Sequence, residues 1–197
     1  GTISAAALIQ DRKVLRYIGK KYITARREMG FLVPSKGYEY ATIKGHKCAI
    51  IVGDDLSRER DFDQSVETVI SINARKYGKG TMTYRYEMMR NLAFVESKNL
   101  VLVNQVGGST DIVYDGTSGA LNSRGELVLM MKNFEEDFQI FDTKASARPI
   151  TIPSTYNDRT RLVYEAARCG LRDFFRKNGY RKASIGLSGG IDSAVVA

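Results

Sequence analysis

The fold is constrained most by several short, continuous apolar runs, each about as long as one strand. Residues 47–52, 68–73 and 100–104 are rich in Val, Ile and Leu and are bounded by turn-forming residues, which predicts strands. Continuous apolar character is typical of strands covered on both faces of a sheet. Further strands are predicted at residues 5–9, 111–114 and 127–131.

A helix is predicted at residues 81–98, between two of these strands. Met82, Tyr86, Met89 and Ala93 follow one another at three- and four-residue spacings, which places them on one helix face. Because strands and helices alternate along the chain, the sequence predicts an α/β or α+β fold.

Composition excludes several classes of protein. Of the 197 residues, 43% are hydrophobic and 26% charged, which is enough for a core and unlike a disordered chain. No apolar run approaches the ~18 residues of a membrane helix, and the first ten residues lack signal-peptide features, so we expect a cytoplasmic protein without a membrane partner. Cys48, Cys169 and the single His46 form no metal-binding pattern, which argues against structural zinc and a disulfide framework.

The net charge of +8 raises the question of nucleic-acid binding. Basic residues are densest between Arg12 and Arg27, but apolar residues alternate with them there, and no nucleic-acid-binding motif is present. We therefore expect a solvated basic face, or attraction for a small phosphorylated substrate, and no nucleic-acid partner.

The chain divides near residues 146–157, where two prolines and polar residues predict a linker. The predicted domains are residues 1–145 and 158–197. The second begins with a helix that Asp158 or Asn157 caps and that Gly179 ends. Its predicted apolar stripe consists of Leu162, Val163, Ala166, Cys169, Leu171, Phe174 and Phe175. A strand is expected at 183–187, and a new helix from Ser193. Both ends of the chain are expected to lie inside a longer protein.

The strongest motif follows that last predicted strand: Ser188, Gly189, Gly190, Ile191, Asp192 and Ser193. Two glycines allow the backbone to turn its N–H groups into one concavity, at the N-terminus of a helix, where an anion is favoured. No lysine follows, so this is not the common Gly-rich loop that ends in Gly-Lys-Ser/Thr. Asp192 beside a phosphate needs a divalent cation, which predicts Mg²⁺. The alternative is a tight turn with a capping side chain.

This loop resembles the Ser-Gly-Gly-x-Asp-Ser loop of ATP-pyrophosphatases, and its approach, residues 170–174 and 177–180, resembles NAD⁺ synthetases. The resemblance implies that all six loop residues, 188–193, form an ATP-phosphate site and that Asp192 also binds Mg²⁺. Upstream, residues 103–108 and 111–118 resemble the nitrilase-like glutaminase domain of glutamine-dependent NAD⁺ synthetases. Without the resemblance, this stretch would be interpreted as a strand, a glycine bend and a hairpin.

The implied fold is α/β: the later part of a nitrilase-like αββα sandwich, followed by the first helix, strand and loop of a Rossmann-like adenine nucleotide hydrolase domain. Members of this family hydrolyse glutamine with a cysteine nucleophile assisted by a lysine and a glutamate. Lys20 matches the lysine, the alternative being a solvated basic stretch, and the glutamate is expected before Gly1. Gly53 stands at the cysteine position. Cys48 lies five residues earlier in a strand, so we expect it to be a core residue.

Two further positions bear on the glutaminase. Arg75 stands where the family has a small serine near glutamine, whereas Arg85 matches a family arginine. The resemblance therefore implies an ATP- and Mg²⁺-dependent NAD⁺ synthetase that amidates nicotinic acid adenine dinucleotide, whose glutaminase is degenerate and whose nitrogen donor is ammonia. The parent is expected to be a homo-oligomer. The alternatives are another adenylating ammonia ligase and a non-catalytic nitrilase-like scaffold.

Overall fold

The computed structural model describes residues 1–24, 26, 28–36, 40–58, 61–140, 142–143 and 148–197. Residues 145–147, where the first predicted domain ends and the linker begins, lie outside this part of the chain. The described residues form β1 (Ala5–Gln10), β2 (Lys13–Gly19), β3 (Tyr40–Ile43), β4 (His46–Val52), β5 (Thr68–Asn73), α1 (Thr81–Glu96), β6 (Asn99–Asn104), β7 (Val106–Ser109), β8 (Ile112–Asp115), β9 (Gly119–Leu121), β10 (Leu127–Met130), α2 (Arg159–Asn178) and α3 (Ile191–Val196).

Six strands form one sheet in the order β10-β9-β6-β5-β4-β3. The three continuous apolar runs are its central parallel strands, β4, β5 and β6. The outer strands are antiparallel, with β3 on β4, and β9 between β6 and β10. Only one face of the central strands is well covered among the described residues, because Ile72 and Val103 on the other face are 41% and 49% exposed.

The core lies between this sheet and α1. Met89 and Leu92 of α1 are at most 1% exposed and share a cluster with Val69 and Leu100, which are fully buried. Burying each such side chain stabilises the fold by about 1.5–3 kcal/mol. The predicted spacing is confirmed for Met82, Tyr86, Met89 and Ala93, all of which are buried.

Helix α2 packs on a separate hairpin formed by β7 and β8. Asp158 caps its first turn by accepting a hydrogen bond from the backbone N–H of Arg161 (3.0 Å), and Gly179 ends it in the left-handed conformation. Both ends agree with the sequence prediction. The predicted stripe is partly wrong, because Val163, Leu171 and Phe174 are about half exposed. The buried face repeats at intervals of three and four residues and consists of Leu162, Ala166, Cys169 and Asp173.

The strand predicted at residues 183–187 is absent from this structure. These residues are exposed and pair with no strand in the described part of the chain, and a strand needs a neighbour to satisfy its backbone N–H and C=O groups. The glycine turn leads directly into α3. No described helix is long and apolar enough to cross a membrane.

Candidate active site

The end of β4 forms a sharp turn at the predicted nucleophile position. Gly53 begins a 3-10 helical turn, Gly53–Ser57, with φ of +64°. A Cβ built on Gly53 would lie 3.4 Å from Lys20 Cε and 3.6 Å from Lys20 Nζ. The structure therefore brings the two predicted residues side by side, although they are 33 positions apart in the sequence.

Asp55 holds the backbone that follows Lys20. Its carboxylate accepts hydrogen bonds from the backbone N–H groups of Lys21 (2.5 Å) and Tyr22 (2.9 Å). Asp55 is 3% exposed, and this burial raises the pKa of its carboxyl, while the two N–H groups and Lys20 act in the opposite direction. The turn after β4 thus fixes the backbone next to Lys20.

Glu28 is the direct partner of Lys20. Lys20 Nζ donates to Glu28 Oε2 at 2.8 Å, and the Lys20 side chain is only 6% exposed. A buried ammonium needs such a partner, which excludes the solvated-stretch alternative for Lys20. Sequence reasoning missed Glu28. One signal was available, since Glu28 is the only acidic residue between Lys20 and Lys36.

A cavity of about 370 Å³ opens beside Lys20 and Gly53. Arg75 lies in its wall, where Arg75 Nη2 is 3.2 Å from Asp54 Oδ1. The other described residues that line the cavity are Ser4, Glu28, Val52, Ile72, Asn73, Ala74 and Gln105. Two cationic side chains, Lys20 and Arg75, therefore line the cavity with Gly53, and none of its described lining residues is a cysteine.

Cys48 cannot supply that thiol. It lies four residues before the end of β4, roughly 13 Å along the strand, and it is 5% exposed. Its Sγ contacts the backbone oxygen of His46 (3.7 Å). Burial, and secondarily Glu67, raises the pKa of the Cys48 thiol, which disfavours the nucleophilic thiolate. The structure supports the prediction of a core residue.

Arg85 lies in the core and not in the cavity wall. Its Nη2 donates to both carboxylate oxygens of Asp115, at 2.8 and 3.0 Å, and both side chains are fully buried. It also donates to the backbone oxygen of Gly116 (3.1 Å). Asn104 Nδ2 donates to the same carboxylate (2.9 Å), so this network fixes the turn after β8 against α1.

The predicted phosphate loop is exposed to solvent. Ser188 Oγ and Ser193 Oγ are 3.1 Å apart, and Ser193 Oγ donates to the backbone oxygen of Gly190 (2.9 Å). Asp192 lies in the first turn of α3. Two hydroxyls, backbone N–H groups and one carboxylate are donors and ligands suited to a phosphate and Mg²⁺. The described residues contain no group of three metal-ligating side chains, so a metal at Asp192 would need phosphate and water oxygens as further ligands.

Two motif segments of the sequence, residues 103–108 and 170–174, contact each other where α2 packs on the hairpin of β7 and β8. We call this contact the α2–hairpin joint; it is formed by Gly107, Gly108, Gly170 and Asp173. Asp173 Oδ2 accepts the backbone N–H of Gly108 at 2.7 Å. A Cβ on Gly107 would lie 2.7 Å from Asp173 Oδ2, and one on Gly108 would lie 2.9 Å from the backbone of Gly170. These glycines are therefore required for the close approach of α2 to β7.

The α2–hairpin joint also favours the charged form of Asp173. Burial alone would raise its pKa, but the Gly108 N–H and Arg172 together bring the pKa below its ordinary value. Lys177 Nζ additionally donates to the backbone oxygen of Gly108. The backbone N–H and the backbone C=O of Gly108 thus both bind charged side chains of α2.

Comparison with solved structures defines the class of the fold. An amidase of the nitrilase superfamily from Nesterenkonia matches with a TM-score of 0.55 at 17% identity, over 65% of this chain and 50% of that chain. A carbon–nitrogen hydrolase from Helicobacter pylori also matches with a TM-score of 0.55, at 18% identity over 64% of this chain and 51% of that chain. The fold is therefore nitrilase-like, as the sequence predicted.

Closer similarity extends along nearly the whole chain. A glutamine-dependent NAD(+) synthetase from Synechocystis is 31% identical, and one from Acinetobacter baylyi is 28% identical, each over 98% of this chain. The structure of a glutamine-dependent NAD⁺ synthetase from Acinetobacter baumannii, in complex with ADP, has a TM-score of 0.80 at 28% identity and covers 98% of this chain. The chain is thus a homologue of glutamine-dependent NAD(+) synthetases.

The chain covers only part of the length of each of these relatives. The chain spans 37% and 38% of the length of the two curated relatives, and 38% of the Acinetobacter baumannii structure. No family model matches the chain. The motifs and the relatives therefore agree on homology to glutamine-dependent NAD(+) synthetases.

Proposed function

We propose that this chain is part of an NAD⁺ synthetase that uses ammonia and does not hydrolyse glutamine. The parent would adenylate nicotinic acid adenine dinucleotide with Mg-ATP, and ammonia would then displace AMP to form the amide. In this proposal residues 1–145 belong to the glutaminase-like domain, 146–157 link it to the next, and 158–197 begin the synthetase domain. We expect the parent to be a cytoplasmic homo-oligomer.

One observation carries the proposal: Gly53 places no side chain beside Lys20, although the turn after β4 brings the two residues within contact distance. A thiol on that position would lie next to the Lys20 ammonium, which lies within 3.6 Å of a Cβ there. Covalent amide hydrolysis needs a nucleophile to attack the carbonyl carbon, and an ammonium and a carboxylate alone cannot provide it. Lys20 and Glu28 therefore remain as an ion pair whose catalytic partner is missing.

The phosphate loop would act on the other substrate. Ser188, Gly190 and Ser193 supply hydroxyl and N–H donors for phosphate oxygens, and Asp192 would ligate Mg²⁺. Mg-ATP, when bound, supplies the adenylyl group and a pyrophosphate leaving group. The loop's part is to hold the phosphates in place and to stabilise the charge that develops on them. The relative whose structure contains ADP supports nucleotide binding by the parent.

The experiment compares nitrogen donors in the full-length protein. NAD⁺ formation is measured with ammonium and with glutamine, in the unchanged protein and in Cys48→Ala. We expect turnover with ammonium only, and the same rate in Cys48→Ala. Glutamine-driven turnover that disappears in Cys48→Ala would refute the proposal, because it would make Cys48 the nucleophile.

A further inference from the structure

An ion pair between Arg75 and Asp54 lies in the wall of the Lys20–Gly53 cavity. The two side chains are 3.2 Å apart and are 23% and 43% exposed, respectively. Asp54 directly follows Gly53 in the chain. The guanidinium is therefore bound to the residue adjacent to the missing nucleophile, and it lines the same cavity as Lys20.

The backbone of Arg75 is fixed in this place by Asn104. The Arg75 N–H donates to Asn104 Oδ1 (2.8 Å), and Asn104 Nδ2 donates to the Arg75 carbonyl oxygen (3.2 Å). Asn104 is 6% exposed, and its Nδ2 also donates to Asp115 and Gly116 in the core. These bonds fix the backbone from which the Arg75 side chain extends, and Asp54 holds the guanidinium itself.

We propose that Arg75, anchored by Asp54, hinders glutamine from binding in the part of the cavity beside Gly53. This inference rests on the proposed function. It attributes the loss of glutamine use to two separate causes, the missing thiol and the Arg75 side chain. A glutamine amide that reaches Gly53 would compete with the Arg75–Asp54 ion pair for the space beside that residue. Replacing Arg75 by the small serine expected at this position removes both the charge and most of the side-chain volume.

The test uses a glutamine analogue in which a chloromethyl ketone replaces the side-chain amide. A thiolate at position 53 attacks the methylene carbon, an S–C bond forms, the C–Cl bond breaks, and chloride leaves. The full-length protein is compared as Gly53→Cys, as Gly53→Cys with Arg75→Ser, and as Gly53→Cys with Lys79→Ser. The Lys79 variant is the matched control, because it removes a nearby exposed charge that does not line this cavity.

Labelling is followed by intact mass, and the adduct is mapped to residue 53 by peptide analysis. We expect Arg75→Ser to accelerate labelling of the Gly53→Cys protein by about 10- to 200-fold, the range over which pocket shape discriminates ligands, and Lys79→Ser to have no effect. Equal labelling rates with and without Arg75→Ser would overturn the inference. That outcome would leave the proposed function intact, which fails instead if the unchanged protein is labelled at Cys48.

A second measurement avoids the left-handed backbone of residue 53, where Gly53→Cys introduces strain. Arg75→Ser and Lys79→Ser are made with Gly53 retained, and glutamine is titrated into each by calorimetry. We expect binding heat for Arg75→Ser only. If Gly53→Cys does not fold, absence of glutamine binding by a folded Arg75→Ser protein overturns the inference.

Discussion

Replacing Asp173 by alanine should loosen the α2–hairpin joint. The substitution removes the acceptor of the Gly108 N–H, which lies 2.7 Å from Asp173 Oδ2 in a buried contact. An unsatisfied buried donor costs about 1–3 kcal/mol. The ion pairs of Asp173 with Arg172 and Arg176 add about 1 kcal/mol at most, because those arginine side chains are 52% and 66% exposed. Taking the middle of the first range, about 2 kcal/mol, and adding up to about 1 kcal/mol for the ion pairs gives an expected loss of about 2–3 kcal/mol.

Amide hydrogen exchange by mass spectrometry measures this loss locally. Each 1.36 kcal/mol is a factor of ten, so Asp173→Ala should accelerate exchange of peptides covering residues 106–115 and 159–178 by about 30- to 150-fold. Exchange in β4 should not change. The matched control is Arg176→Ala, which removes an exposed partner and should change the rate by no more than about fivefold. If Asp173→Ala exchanged no faster than Arg176→Ala, the buried hydrogen bond would not be what holds α2.

Two further predictions concern other carboxylates. Asp192→Asn in the full-length protein should reduce ammonia-driven NAD⁺ formation at limiting Mg²⁺ by about 10- to 100-fold while leaving the circular dichroism spectrum unchanged, and an unchanged rate would contradict a metal-binding role. Hydrogen bonds from the Ser65 hydroxyl and N–H, with Lys47, hold the pKa of Asp63 at about 2. Ser65→Ala should therefore raise that pKa toward about 4, measured by carbon NMR titration. Because the folded pKa is the lower one, this interaction stabilises the fold above about pH 4 and is lost as the pH falls toward 2. An unaltered titration would exclude the Ser65 hydroxyl as a cause.

The sequence predicted the central architecture because β4, β5 and β6 are apolar over their whole length. The short strands β3, β7 and β9 were not predicted. They have three or four residues each, and pairing with a neighbour, more than their own composition, makes them strands. The strand predicted at residues 183–187 is absent because strand formation depends on pairing, and this apolar run has no neighbouring strand in the described part of the chain.

The candidate site was predictable only in part. Lys20 and Gly53 could be identified from motif resemblance, and the structure adds that they are adjacent. Glu28 and Asp173 were not identified, because charged residues are usually exposed and these two become significant only through the contacts that the fold gives them. The buried side of α2 was mispredicted in part, because the predicted stripe contained apolar residues only and the buried face includes Asp173.

The left-handed backbone at Gly53 makes the loss of a nucleophilic side chain energetically easier than its recovery. Any residue with a Cβ is strained by about 1–2 kcal/mol at φ of +64°, and glycine removes that strain at an entropic cost of roughly half as much. Once selection for amide hydrolysis is relaxed, a change to glycine here is tolerated or even stabilising, whereas the reverse change must overcome the strain before any activity returns. The geometry that presents a reactive side chain thus makes its evolutionary disappearance difficult to reverse.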